Sequence, residues 1–301
     1  MLLVATGFGG VSAARVRAPR GIVLGPDEAL WFTEPDDAIG RITTQGKLRI
    51  YTHSGIYHPE GIAAGRDGAV WFTNLFGPSV GRITTAGAVS VYHHPGIFHP
   101  EGITAGPDGA VWFTNADGGG AIGRISSKGA ITIYKHRGMR DPEAITAGPD
   151  GALWFTNGGR RPSIGRITTR GVVSLYTNAG ISEPEGIVTG PDGALWFTND
   201  DDSIGRITTR GAVRLYIDPR IKHPWGIAAG RDGALWFTNP VGNSIGRITT
   251  SGDMVFFTHA GIRGPQGIAS GPDGALWFTN HYGDSIGRIT IRGSVRILRG
   301  R

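Results

Sequence analysis

The residues able to do chemistry in this chain stand on either side of a recurring proline. The flanking pairs are Ala18 and Arg20, His58 and Glu60, His99 and Glu101, Asp141 and Glu143, Glu183 and Glu185, His223 and Trp225, and Gly264 and Gln266. Carboxylates and imidazoles repeated in this way, if gathered round one axis, could hold a hard divalent cation or a polar ligand. Crowded carboxylates would also raise one another's pKa values, which suits general acid or base work. On that reading Glu101, Glu143 and Glu185 are the expected metal ligands, and His223, Glu185 and His281 the expected acid–base residues. Arg20, Glu34, Trp225 and Gln266 depart from the repeating residue types, and together with Glu60 they are the expected substrate contacts. A structural reading competes with this one. The glutamates could bond neighbouring backbone amides, and the recurrent Asn74, Asn115, Asn157, Asn199, Asn239 and Asn280 could serve turns.

What must position these residues is a repeat. Trp-Phe-Thr recurs seven times, from Trp31-Phe32-Thr33 to Trp277-Phe278-Thr279, at intervals of about 41 residues. Within one unit, Glu185 to Thr189, Ala194 to Thr198, Ser203 to Thr208 and Val213 to Tyr216 read as short strands. They are separated by Gly190-Pro191-Asp192-Gly193, the polar Asn199 to Asp202 loop and Thr209-Arg210-Gly211. Four antiparallel strands per unit, repeated seven times, predict an all-β, seven-bladed β-propeller. A single blade cannot cover both its faces, so Trp, Phe and Ile must be buried by neighbouring blades. The arginine after each Ile-Gly is expected to bond a turn carbonyl or the repeating aspartate.

The repeats fill residues 19–301 as one propeller domain, with residues 1–18 as an N-terminal segment. The ring could close by packing its seventh blade on its first. The preferred expectation is that residues 2–16 add a strand to the last blade and latch it. Loops of antiparallel blades alternate between two faces. The Gly-Pro-Asp-Gly and Thr-Thr-x-Gly turns fall on one face and hardly vary. The connections between blades and the loops after Trp-Phe-Thr fall on the other and do vary, so function is expected there.

Bulk properties exclude several classes. The net charge is +6, but seven repeat arginines and seven turn aspartates recur in step, and no Lys/Arg run or nucleic-acid motif is present. Nucleic-acid binding is therefore not expected. No stretch approaches the roughly 20 apolar residues of a membrane span. There is no cysteine, so neither disulfides nor thiolate chemistry is available. The apolar opening stretch lacks a basic leader, which favours a cytoplasmic protein. Secretion is the alternative because Ser12-Ala13-Ala14 resembles a cleavage site. A closed ring of this kind is expected to be a monomer that takes a small molecule or cyclic peptide at its channel mouth.

The phrase Gly-Pro-Asp-Gly-x-x-Trp-Phe-Thr-Asn followed by Ile-Gly-Arg-Ile-Thr resembles the streptogramin lyase (virginiamycin B lyase) family over nearly the whole chain. That resemblance implies a seven-bladed propeller and a magnesium-assisted β-elimination that opens a cyclic depsipeptide antibiotic at its ester. In that chemistry a histidine base removes a proton α to the carbonyl that the metal polarises. The family needs a histidine directly after the blade-opening proline in blades six and seven. It also needs glutamates just before the blade-seven proline and near the end of that blade's second strand. The matching positions here hold Trp225, Gln266, Gly264 and Asn280, with His281 one residue further on. The expectation is thus a lyase-like enzyme for a cyclic depsipeptide, lactone or related natural product, with its catalytic set displaced. The displaced set would draw on Glu143, Glu183, Glu185 and His223, or on His281. The alternatives are a non-catalytic ligand- or protein-binding propeller and a lactonase-type metallohydrolase.

Overall fold

A computed structural model of the chain describes residues 5–8, 10–11, 15–116 and 119–300. Its strands, numbered β1–β30 in chain order, form seven sheets. Strands β3–β6 make blade one (residues 22–52), β7–β10 blade two (59–93), and β11–β14 blade three (100–135). Blade four is β15–β18 (142–176), blade five β19–β22 (184–217), blade six β23–β26 (227–258) and blade seven β27–β30 (265–298). Every pairing is antiparallel, and the expected seven-bladed propeller is what the chain forms. In blade five the strands run Pro184–Thr189, Leu195–Asn199, Ser203–Ile207 and Val213–Ile217, within a residue of the boundaries expected from the repeat.

Successive residues of a strand point to opposite sides of the sheet, and this explains the Trp-Phe pair. Trp196 of blade five packs into one apolar cluster with Leu235 and Phe237 of blade six. Phe197, its chain neighbour, packs with Trp154 of blade four. Each inter-blade core is therefore the Trp of one blade set against the Phe and the preceding aliphatic residue of the next. The glycine of Ile-Gly-Arg follows from the same packing, because a Cβ on Gly205 would overlap the Phe197 ring on the adjacent strand.

The invariant turns are held by ionic bonds. Trp196 Nε1 donates to Asp192 Oδ1 at 3.0 Å, and Arg206 Nε donates to Asp192 Oδ2 at 2.6 Å. The same Asp–Trp–Arg group recurs in all seven blades, as in Asp27, Trp31 and Arg41. The repeat arginine thus takes the aspartate of the two expected partners.

Ring closure departs from expectation. Strand β1 (Ala5–Phe8) pairs with β10 (Ala88–His93) of blade two, and β2 (Gly10–Val11) pairs with β6 (Leu48–Thr52) of blade one. The N-terminal strands therefore extend two outer edges instead of latching blade seven, whose sheet has four strands. Residues 1–4, 9 and 12–14, including the Ser12-Ala13-Ala14 stretch, lie outside the described residues. The ring closes by side-chain packing and by hydrogen bonds across the seam, where Gly267 N donates to Arg20 O at 3.2 Å. Trp277 and Ile286 of blade seven share one core with Leu30, Phe32 and Ile42 of blade one.

Candidate functional site

The third residue of Trp-Phe-Thr builds the channel mouth. Each threonine hydroxyl accepts from a backbone amide of its own blade, as Gly186 N donates to Thr198 Oγ1 at 2.9 Å. It then donates to the carbonyl of the residue that follows the blade-opening proline in the next blade. Thr33 reaches Glu60 O at 2.8 Å, Thr73 reaches Glu101 O at 2.6 Å and Thr114 reaches Glu143 O. The circuit continues through Thr156 to Glu185 O, Thr198 to Trp225 O and Thr238 to Gln266 O, and ends with Thr279 on Arg20 O at 2.6 Å. A bulge between Pro184 and Ile187 lifts Glu185 out of the ladder, and blades two, three, four and seven carry the same irregularity. The side chains of all seven residues line a central channel of about 280 Å³.

Seven of the expected site residues are therefore brought together, one from each blade: Arg20, Glu60, Glu101, Glu143, Glu185, Trp225 and Gln266. The side chains of Glu60, Glu143 and Glu185 reach Arg20 and one another rather than neighbouring amides. It is their backbone carbonyls that keep the ring in register, which frees the carboxyls to face the channel. Arg20 Nη1 lies 2.6 Å from Glu60 Oε2. Burial pushes the Glu60 carboxyl up, and the guanidinium offsets only part of that. Glu143 and Glu185 share a hydrogen bond. Burial, followed by that bond and the neighbouring negative charge, raises Glu143, so the pair holds a proton at neutral pH. Arg20 Nε is a buried donor with no hydrogen-bond partner.

Glu34 lies outside the channel lining. It stands where six blades have asparagine and does the asparagine's work. Asn199 Oδ1 accepts from Ser182 N and its Nδ2 donates to Gly180 O at 2.9 Å, while Glu34 Oε1 accepts from Arg17 N at 2.8 Å. Burial, with the nearby charge of Asp36, lifts the Glu34 carboxyl to about 7.

The two candidate histidines differ sharply. His223 is exposed at the rim, and its Nδ1 lies 2.6 Å from Asp200 Oδ1. That hydrogen bond and the aspartate's charge raise its pKa and so favour its charged form. His281 begins a short 3-10 turn (His281–Gly283) at the junction of blades seven and one, with Nδ1 3.1 Å from the Ala18 carbonyl. Burial and the nearby Arg20 charge lower its pKa, leaving it neutral near pH 7. A carbonyl partner requires Nδ1 to carry the proton, so Nε2 is the basic nitrogen.

Residues that sequence reasoning missed hold these groups in place. Asp284 Oδ1 accepts from Ala18 N at 2.9 Å, and Asp37, Asp202 and Asn243 cap the amides of His58, His223 and Gly264 in the same way. Their signal was an Asp or Asn just before the third strand, at the left-handed φ that these residues tolerate.

The resemblance implies magnesium, and the residues here do not fit it. Gly264 offers no carboxylate, and the Tyr282 ring fills the space that a Cβ would need. Asn280 is fully buried and committed, accepting from Arg263 N and donating to Gly261 O and Ser285 Oγ. Among the described residues no group of three His, Asp or Glu side chains could hold a metal ion. The expected trio Glu101, Glu143 and Glu185 fits a metal no better, since two of its members bind each other through a proton.

Comparison with known proteins follows the same lines. The sequence pattern of the virginiamycin B lyase family matches residues 11–177 and again 98–299. No curated protein sequence matches the chain. A solved streptogramin B lyase is similar with a TM-score of 0.85 and 31% identity, covering 98% of this chain and 98% of its own. Virginiamycin B lyase from Staphylococcus aureus, solved as a catalytically inactive histidine-to-alanine variant with quinupristin, has a TM-score of 0.84 and 33% identity, covering 95% of this chain and 99% of its own. A gluconolactonase from Xanthomonas campestris, at 16% identity and a TM-score of 0.60 over 97% of each chain, shares the fold alone. By its sequence and its fold together, the chain belongs to the virginiamycin B lyase family.

Proposed function

We propose that this chain is a lyase-like enzyme that binds a cyclic depsipeptide, lactone or related natural product over the channel mouth and opens it by elimination without a metal. The observation that carries this reading is His281. It is a half-buried, neutral imidazole whose Nδ1 is committed to the Ala18 carbonyl, which leaves Nε2 as the base. His223, whose charged form Asp200 favours, is the poorer base. His281 stands one residue beyond Asn280, at the end of the second strand of blade seven.

In the reaction His281 takes the proton α to a carbonyl and a carbon–carbon double bond forms. The β carbon–oxygen bond breaks, the ester oxygen leaves as a carboxylate, and no water is consumed. The carbonyl gains negative charge as the proton leaves, and Arg20 supplies the compensating cation. Its buried, unpartnered Nε–H donor is available to that oxygen. The exposed Trp225 ring and Gln266 form the adjoining wall for the ligand.

The test is incubation with quinupristin, with and without a chelator, followed by chromatography and mass spectrometry. The expected product is linear, has the mass of the substrate, and forms at the same rate with chelator present. His281→Ala and Arg20→Ala should each slow it by roughly 100-fold or more. A product heavier by one water would replace elimination with hydrolysis, and absence of turnover would overturn the enzymatic reading. Unchanged turnover by His281→Ala would show that the base lies elsewhere.

A further inference from the structure

Blades three and four enclose a second concavity on the variable face, with a volume of about 940 Å³. It lies apart from the channel and extends to Leu175 and Thr177 by the outer strand of blade four. Arg137, Arg140, Arg160 and Arg161 line it, with Asp141 as the one carboxylate among its described residues. None of the four is the arginine that follows Ile-Gly in each blade, although Arg140 shares its place, two residues before the blade-opening proline, with Arg17 and Arg263. At the position of Arg137 the following blade connections carry Ala179, Pro219 and Ala260, and the loop matching Gly158 to Pro162 in blade five is Asp200-Asp201-Asp202.

The frame that presents them is rigid. Arg140 N donates to Asn157 Oδ1 at 3.0 Å, Asn157 Nδ2 donates to Gly138 O at 3.3 Å, and Gly158 N donates to Asp141 O at 2.8 Å. Met139, between two of the lining residues, is fully buried in the inter-blade core. The repeat arginines each bind an aspartate at 2.6 or 2.7 Å. Among the described residues, none of the four pocket guanidinium groups has a hydrogen-bond or ion-pair partner. Four cations with no ion-pair partner among the described residues stand round one hollow and repel one another until a counter-charge enters.

We propose that this pocket binds a small molecule carrying two or more phosphate or carboxylate groups. Each guanidinium presents a planar fork that matches either anion, and four forks supply more donors than one carboxylate can accept. The size falls within the range of small-molecule sites, and the braced backbone reduces the ordering cost of binding. A single-stranded nucleic acid would call for aromatic stacking platforms beside the cations, and no aromatic side chain lines the pocket. This site is independent of the chemistry assigned to the channel mouth.

Calorimetry with the full chain tests it, using inorganic pyrophosphate and citrate as probes at about 50 mM salt. Saturable binding of at least one probe is expected, and the preferred probe tells phosphate from carboxylate. Arg160→Ala combined with Arg161→Ala should weaken binding by about tenfold or more, and the paired lysine variants should recover part of it. The double variant should melt at the parental temperature, because the two side chains hold nothing in the fold. Failure of both probes to saturate, or binding unchanged in the double variant, would overturn the proposal. Tighter binding of a single-stranded oligonucleotide through the same arginines would overturn it as well.

Discussion

The two faces of this propeller use carboxylates in opposite ways. On the turn face burial tends to raise each aspartate, but the Trp and Arg donors more than reverse this, and all seven carboxyls sit below the usual range. On the channel face Glu34, Glu60, Glu143 and Glu185 are all pushed up, first of all by burial. The supply of donors makes the difference. Each turn aspartate has its own indole and guanidinium, whereas Glu143 and Glu185 face each other, Glu60 has Arg20 alone and Glu34 has one backbone amide. An acid matched one to one with donors is a fixed charge that serves structure. An acid short of donors holds a proton that it can exchange, and that is the raw material of chemistry.

The comparison can be broken or sharpened by substitution. The largest effect is expected from Trp196→Ala, which opens a cavity between blades five and six and should cost roughly 3–5 kcal/mol in urea unfolding. Trp225→Ala, at a ring that is 43% exposed on the channel face, should change stability by less than about 0.5 kcal/mol. Similar costs at the two sites would erase the division between scaffold and site.

Glu34→Asn comes next. The Glu34 carboxyl titrates near 4.5 when unfolded and at about 7 in the fold, so folding favours its protonated form. Its stabilising effect is complete below the unfolded value and is lost as pH rises through the folded one. Asparagine restores the neutral cap at every pH. The variant should therefore gain roughly 3 kcal/mol over the parent at about pH 8, and the difference should vanish below the unfolded value. A gain independent of pH would mean that Glu34 is already neutralised by another group.

A smaller effect than that of Trp196→Ala or Glu34→Asn is expected from Asp192→Asn, at about 1–2 kcal/mol near neutral pH. The folded carboxyl lies below its unfolded value, so the parent has the full benefit above that value and loses it as pH falls through the folded one. Thermal melts in acid should show the two proteins converging. The two faces should thus respond to pH in opposite directions, the turn face weakening in acid and the channel face in alkali.

Much of this was legible in the residues. Trp196 and Phe197 announce a strand that is buried on both sides, and Asp192 with Gly193 announces its turn. The role of Thr198 was not legible, because its acceptor is the Trp225 carbonyl in the next blade. Nothing local to a Trp-Phe-Thr run points that far along the chain. The departure at Glu34 was visible, but whether it meant a ligand contact or a cap depended on where Arg17 N lies. His223 and His281 looked equally capable as bases. Asp200 beside one and Arg20 beside the other separate them, and both neighbours come from different blades. The sequence alone places an N-terminal strand on blade seven, because an unlatched ring leaves its two ends held only by side-chain packing. Trp277 against Phe32 supplies as much burial there as any other pair, so no added strand is required.

That seam has a wider consequence. Thr279 reaches across it to Arg20 O at 2.6 Å, just as Thr73 reaches Glu101 O between blades two and three. Chain order therefore leaves almost no mark on the circle of contacts, and the molecule resembles a wheel more than a ribbon bent into a loop. Such a wheel has no natural first spoke to lose. Heat or denaturant should find no weak joint at which to peel it open, and the seven blades should part together.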